Sequence, residues 1–78
     1  MKKKYLVILN SIAVAKESSL VDAVKMSNNI KLSDEEINYQ TVYTNIKARG
    51  YYQKIVETYI NTWNSPIQMV LTIQEIEL

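Results

Sequence analysis

Apolar residues recur along the chain in four blocks separated by polar breaks, and their spacing predicts the elements. In the first block, from about Lys3 to Ala15, Leu6, Leu9 and Ala13 together with Val7, Ile8 and Ile12 form a broad face at helical spacing. The β-branched residues Val7, Ile8, Ile12 and Val14 also suit a buried strand, and the run Tyr5–Leu9 is short enough for one. The helical reading is preferred. The second block follows Ser18-Ser19, either of which can cap a helix by accepting a bond from a free backbone N–H. Leu20, Ala23, Val24 and Ser27 then share one face, with Asp22 and Lys25 opposite. A helix of about ten residues is expected, ended by Asn28-Asn29, since asparagine tolerates the left-handed conformation.

The third block carries signals at both ends. Ser33-Asp34-Glu35-Glu36 reads as a capping box, with carboxylates at the positive end of the helix dipole. Tyr39, Val42, Tyr43 and Ile46 form a helical stripe, and Lys47 and Arg49 precede Gly50, a stop signal. A rival exists, because Ile37, Tyr39, Thr41 and Tyr43 alternate with polar residues as in a strand. The caps favour a helix over 33–49. In the fourth block, Ile67, Met69, Leu71 and Ile73 alternate with polar residues after Pro66, which predicts a strand with one buried face. Tyr51–Trp63 fits a helical period through Tyr52, Ile55, Val56, Tyr59, Ile60 and Trp63, but is rich in β-branched and aromatic residues. Taken as a strand, it makes a hairpin with 67–73 whose tip is Asn61–Ser65.

Composition narrows the chemistry. The 78 residues allow one domain, with a thin stability margin that a partner subunit can supplement. Cysteine and histidine are both absent, so disulfides, the usual structural zinc sites and the usual nucleophilic triads are excluded. Asp34, Glu35 and Glu36 are adjacent and fan out on a helix instead of converging on one ion. No metal, cofactor or enzymatic role is therefore expected.

The net charge is +1, which does not by itself announce a nucleic-acid binder. Eight of the nine basic residues precede Gly50, so any attraction to phosphate must come from the first fifty residues. Lys2-Lys3-Lys4 ahead of Tyr5–Leu9 resembles a signal-peptide start. Asn10, Ser11, Lys16 and Glu17 interrupt it, and no run approaches the ~20 apolar residues of a membrane span. A cytoplasmic setting is expected.

The order helix, helix, helix, hairpin resembles a winged helix-turn-helix domain. Ile8-Leu9 and Ile12 look like the apolar face of its first helix, and Ser18-Ser19-Leu20 with Val24 like the start of its second. Thr41 to Tyr51 looks like a recognition helix running into the wing, with Val70-Leu71-Thr72 as the closing strand. The resemblance implies an α+β fold and a DNA-binding transcriptional regulator. Its third helix would enter the major groove with Gln40, Thr41, Thr44 and Asn45 at base edges and Lys47 nearby. Lys31, Lys47 and Arg49 would hold phosphates, and Asn61, Thr62, Trp63 and Asn64 would form the wing tip. Glutamine and asparagine can bond adenine at two positions, and threonine can touch a thymine methyl. A homodimer on a pseudo-palindromic duplex is the expected partner arrangement. The alternative is a small protein-binding module or inhibitor without nucleic-acid contact, folded as an α/β sandwich with strands at both termini and a helix at 51–63.

Overall fold

A computed structural model describes residues 3–30, 36–59 and 66–77. The chain forms strands β1 (Lys3–Leu9) and β2 (Ile12–Glu17), helices α1 (Leu20–Ile30) and α2 (Tyr39–Arg49), then strands β3 (Tyr51–Tyr59) and β4 (Pro66–Glu77). The four strands make one sheet in the order β2-β1-β4-β3, antiparallel throughout. The α+β class expected from the sequence holds, but the three-helix winged arrangement does not: two helices are described, and the supposed first helix is a β-hairpin.

The first block bends back on itself at Asn10-Ser11, which leaves Leu9 paired with Ile12. Asn10 adopts φ 57°, one of the few left-handed positions a non-glycine residue takes readily. Its N–H donates to the Val70 carbonyl at 2.8 Å, and its Oδ1 accepts from the Val70 N–H at 3.0 Å. The turn is thus tied to the middle of β4. Beyond it, the register slips between Val7 and Ile8: Val7 faces Ala15 while Ile8 faces Ala13. The extra residue, Val14, breaks strand alternation, so a turn and a bulge together imitate a helical period.

α1 forms as its pattern predicts. Ser19 Oγ accepts from the Asp22 N–H at 3.2 Å, and Leu20, Ala23, Val24 and Ser27 are buried. The Ser27 hydroxyl is satisfied by the Ala23 carbonyl at 2.8 Å. Asn28-Asn29 does not end this helix, which runs on to Ile30.

The expected start of α2 needs correction. Glu36, Ile37 and Asn38 are not helical, and Asn38 is the cap, accepting from the Thr41 N–H at 3.2 Å. The other three residues of the expected capping box, at 33–35, lie outside the described residues. Ile37, 3% exposed, enters the core just ahead of the extended Asn38, which a helix started at 33 would prevent. The C-terminal signal holds: Gly50 lies at φ 84°, and its N–H donates to the Ile46 carbonyl at 2.8 Å.

The last block is a hairpin, so the helix alternative for 51–63 is also overturned over its described part, Tyr51–Tyr59. In register, Val7 lies opposite Ile73 and Leu9 opposite Leu71, while Tyr52 faces Ile73 and Val56 faces Met69. These residues share one face of the sheet. Val7, Leu71, Ile73, Tyr52 and Val56 form a single buried cluster with Leu20, Ala23 and Val24 of α1, Val42 and Ile46 of α2, and Ile37. Both helices therefore cover one face and leave the other open. Pro66–Met69 pairs only with β3, because β1 meets β4 from Leu71 onward and the turn at Asn10 bonds Val70. This part of the β3–β4 hairpin projects as a two-stranded arm. Twelve residues of strand span about 40 Å, matching the longest dimension of 42 Å.

Candidate functional site

The residues assigned to base recognition lie on the outward side of α2, where the structure does bring most of them together. Gln40, Thr41 and Thr44 are exposed and Asn45 is half-buried. Their polar groups are already partly engaged along the helix. The Thr44 hydroxyl donates to the Gln40 carbonyl at 2.9 Å and Asn45 Nδ2 to the Thr41 carbonyl at 2.8 Å, while Arg49 donates to Asn45 Oδ1. Both ends of the Asn45 amide are thus occupied. Lys47 Nζ sits 5.4 Å from the centre of the Tyr43 ring, and the Arg49 guanidinium 4.9 Å from that of Tyr51. Lys31, Asn61, Thr62, Trp63 and Asn64 lie outside the described residues. The wing geometry is overturned, because β3 and β4 are half of the sheet that carries the core and not an appendage to a helical bundle.

Sequence reasoning placed Tyr39 and Tyr43 on the same stripe as Val42 and Ile46. Only the aliphatic pair is buried; the tyrosines are 42% and 39% exposed. Their rings meet at 6.1 Å, tilted by 30°. The signal that could have separated them is the i, i+4, i+8 series Tyr39, Tyr43, Lys47, which is offset from the Val42–Ile46 line.

Tyr39 also forms one wall of an open cleft of about 280 Å³ between α1 and the segment entering α2. Val21, Val24 and Ile37 supply its other apolar walls, and Lys25, Asn28, Glu36 and Asn38 its polar rim. Val21 is 46% exposed, so the cleft, Val21, Tyr39 and Tyr43 make a continuous apolar strip on the helical side. The far wall is fixed by Asn28, whose side chain bonds the backbone of Ile37.

At one end of the sheet, beneath the helices, Tyr5, Glu75 and Lys3 form a polar cluster. Lys3 Nζ lies 3.6 Å from the Glu75 carboxylate. Partial burial raises the Tyr5 hydroxyl above its ordinary pKa, and the charge and hydrogen bond of Glu75 add to this, with Lys3 opposing. Among the described residues, no group of carboxylates is arranged to hold a metal ion, and no helix is long and apolar enough to cross a membrane. No known protein family, curated protein or solved structure matches this chain.

Proposed function

We propose that the chain is a cytoplasmic protein-binding module, without enzymatic activity or cofactor, that engages its partner through the helical side. The observation carrying this reading is the apolar strip of Val21, Tyr39 and Tyr43 beside the cleft. Exposed contiguous apolar surface rimmed by polar groups marks association sites, and tyrosine is enriched among the residues that dominate such interfaces. A volume of about 280 Å³ falls just below the ~300–1,000 Å³ of small-molecule pockets. It suits one large aliphatic or aromatic side chain presented by a partner protein, with Lys25 and Glu36 available to polar groups flanking it. The test is reconstitution with the partner that co-purifies stoichiometrically. Tyr39→Ala/Tyr43→Ala should weaken that complex at least tenfold while the far-UV circular dichroism is unchanged. An unaltered affinity rules the surface out.

A second reading, sequence-specific recognition of double-stranded DNA by a regulator, retains one specific support. Gln40, Thr41 and Thr44 are uncovered, and α2 carries Lys47 and Arg49 with no acidic residue. In this reading α2 enters the major groove without a wing, from a homodimer. Duplex binding should then weaken with salt in proportion to the phosphates contacted. A flat response across a salt series removes this reading.

A further inference from the structure

The face of the sheet turned away from the helices sets apolar side chains among polar ones such as Gln53, Gln68 and Gln74, where a water-facing antiparallel sheet normally presents polar residues throughout. Register places Ile55 beside Val70, Ile8 beside Thr72 and Leu6 beside Gln74, all on this side, with Ile76 next to Lys4. Ile55 is 65% and Val70 38% exposed. We infer that this face is closed by a second copy of the chain, stacked sheet against sheet with antiparallel strands about a twofold axis near the Ile8–Thr72 pair.

Four observations favour a second copy as the occupant. A small domain is commonly reinforced by disulfides, a metal or self-association. The sequence has neither cysteine nor histidine, and the described residues hold no metal-binding group. The isolated chain is also slightly less compact than is typical for its mass. Its surface is 5310 Å² where about 4,850 Å² is typical for 9.0 kDa, and its radius of gyration is 12.3 Å where about 11.5 Å is typical.

The face is self-complementary in charge as well. Lys4 and Lys16 stand on one side of that axis and Glu57 on the other, on the arm. Antiparallel stacking carries each copy's lysine end toward the partner's Glu57, whereas parallel stacking would set lysine upon lysine. Area is the fourth consideration. Four strands spaced ~4.8 Å apart, each about seven residues long, give a face of roughly 20 by 24 Å. Two such faces remove on the order of 1,000 Å² from water, which reaches the threshold for a specific interface. Pairing through the sheet edges is disfavoured instead, because β2 carries the Val14 bulge and β3 a lysine, Lys54, at mid-strand.

Sedimentation equilibrium and bismaleimide cross-linking test this. The chain should weigh twice its 9.0 kDa at about 100 µM, and Ile55→Lys/Val70→Lys should return it to a monomer with unchanged circular dichroism. The absence of native cysteine gives a second readout that does not depend on that variant folding. Gln53→Cys, beside Thr72 on the open face, should cross-link into a covalent dimer, and Val21→Cys on the helical side should not. A chain that remains monomeric at ~200 µM overturns the inference. So does cross-linking through Val21→Cys but not Gln53→Cys, or a foreign protein that alone occupies the face and is lost in Ile55→Lys/Val70→Lys.

Discussion

The side chain of Asn28 grips the backbone of Ile37 from both sides: Oδ1 accepts from the Ile37 N–H at 2.7 Å, and Nδ2 donates to the Ile37 carbonyl at 3.2 Å. Asparagine supplies one donor and one acceptor at the spacing of a strand neighbour, so this residue of α1 acts as a one-residue β-partner for the segment entering α2. The grip holds Ile37 in the core and sets the wall of the cleft.

Asn28→Ala should therefore lower stability by about 1–2 kcal/mol, despite the better helix propensity of alanine, because the partly buried Ile37 N–H loses its acceptor. Urea denaturation measures the loss. A variant as stable as the parent would show that the two bonds contribute nothing net.

Asn10 combines a left-handed backbone with side-chain bonding to Val70, and two substitutions separate these contributions. Asn10→Gly keeps the backbone freedom and loses only the side-chain bond, so a loss of about 0.5–1 kcal/mol is expected. Asn10→Ala loses both and should cost about 1 kcal/mol more. Equal losses would mean that the positive φ carries no strain.

Gly50 has open space where a Cβ would stand, so nothing steric opposes a side chain there except its φ of 84°. Gly50→Ala should destabilise by about 1 kcal/mol and Gly50→Asn by less, since asparagine tolerates this region. Thermal unfolding of the two variants gives the order.

Tyr5 links stability to alkaline pH. Its pKa is raised in the folded state, so the protonated form is favoured by folding. That contribution is fully present below the unfolded value near pH 10 and is lost as pH climbs through the higher folded value. Between about pH 9 and 11, the wild type should lose melting temperature faster than Tyr5→Phe, which has no phenol to ionise. Parallel profiles would remove Tyr5 from the alkaline transition.

What could be read from the sequence depended on whether a local signal had a local cause. The Ser19 cap of α1, its buried face and the Gly50 stop are set within a few residues and were legible. The first hairpin was not, because Asn10 is bonded to Val70, sixty residues away, and the Val14 bulge scrambles the period by which a strand is recognised. The start of α2 was misplaced for a related reason. Ser33–Glu36 is a complete cap signal on its own, but Asn38 caps α2, while Asn28 holds the backbone of Ile37. Of the polar row on α2, exposure was foreseen correctly for Gln40, Thr41 and Thr44. The outward turn of Tyr39 and Tyr43 was hidden because tyrosine serves core and surface equally well.

The strand order has a kinetic consequence. β1 and β4 are the inner pair, yet most of the described chain lies between them, with Lys3 opposite Glu77. During synthesis the β1–β2 hairpin and both helices emerge before the strand that completes their sheet. They must wait, held only by local contacts, until Pro66–Glu77 leaves the ribosome. Such high contact order slows folding and delays the closing of the sheet until β4 is available. A chain stalled before β4 would present the unsatisfied edge of β1 to its surroundings.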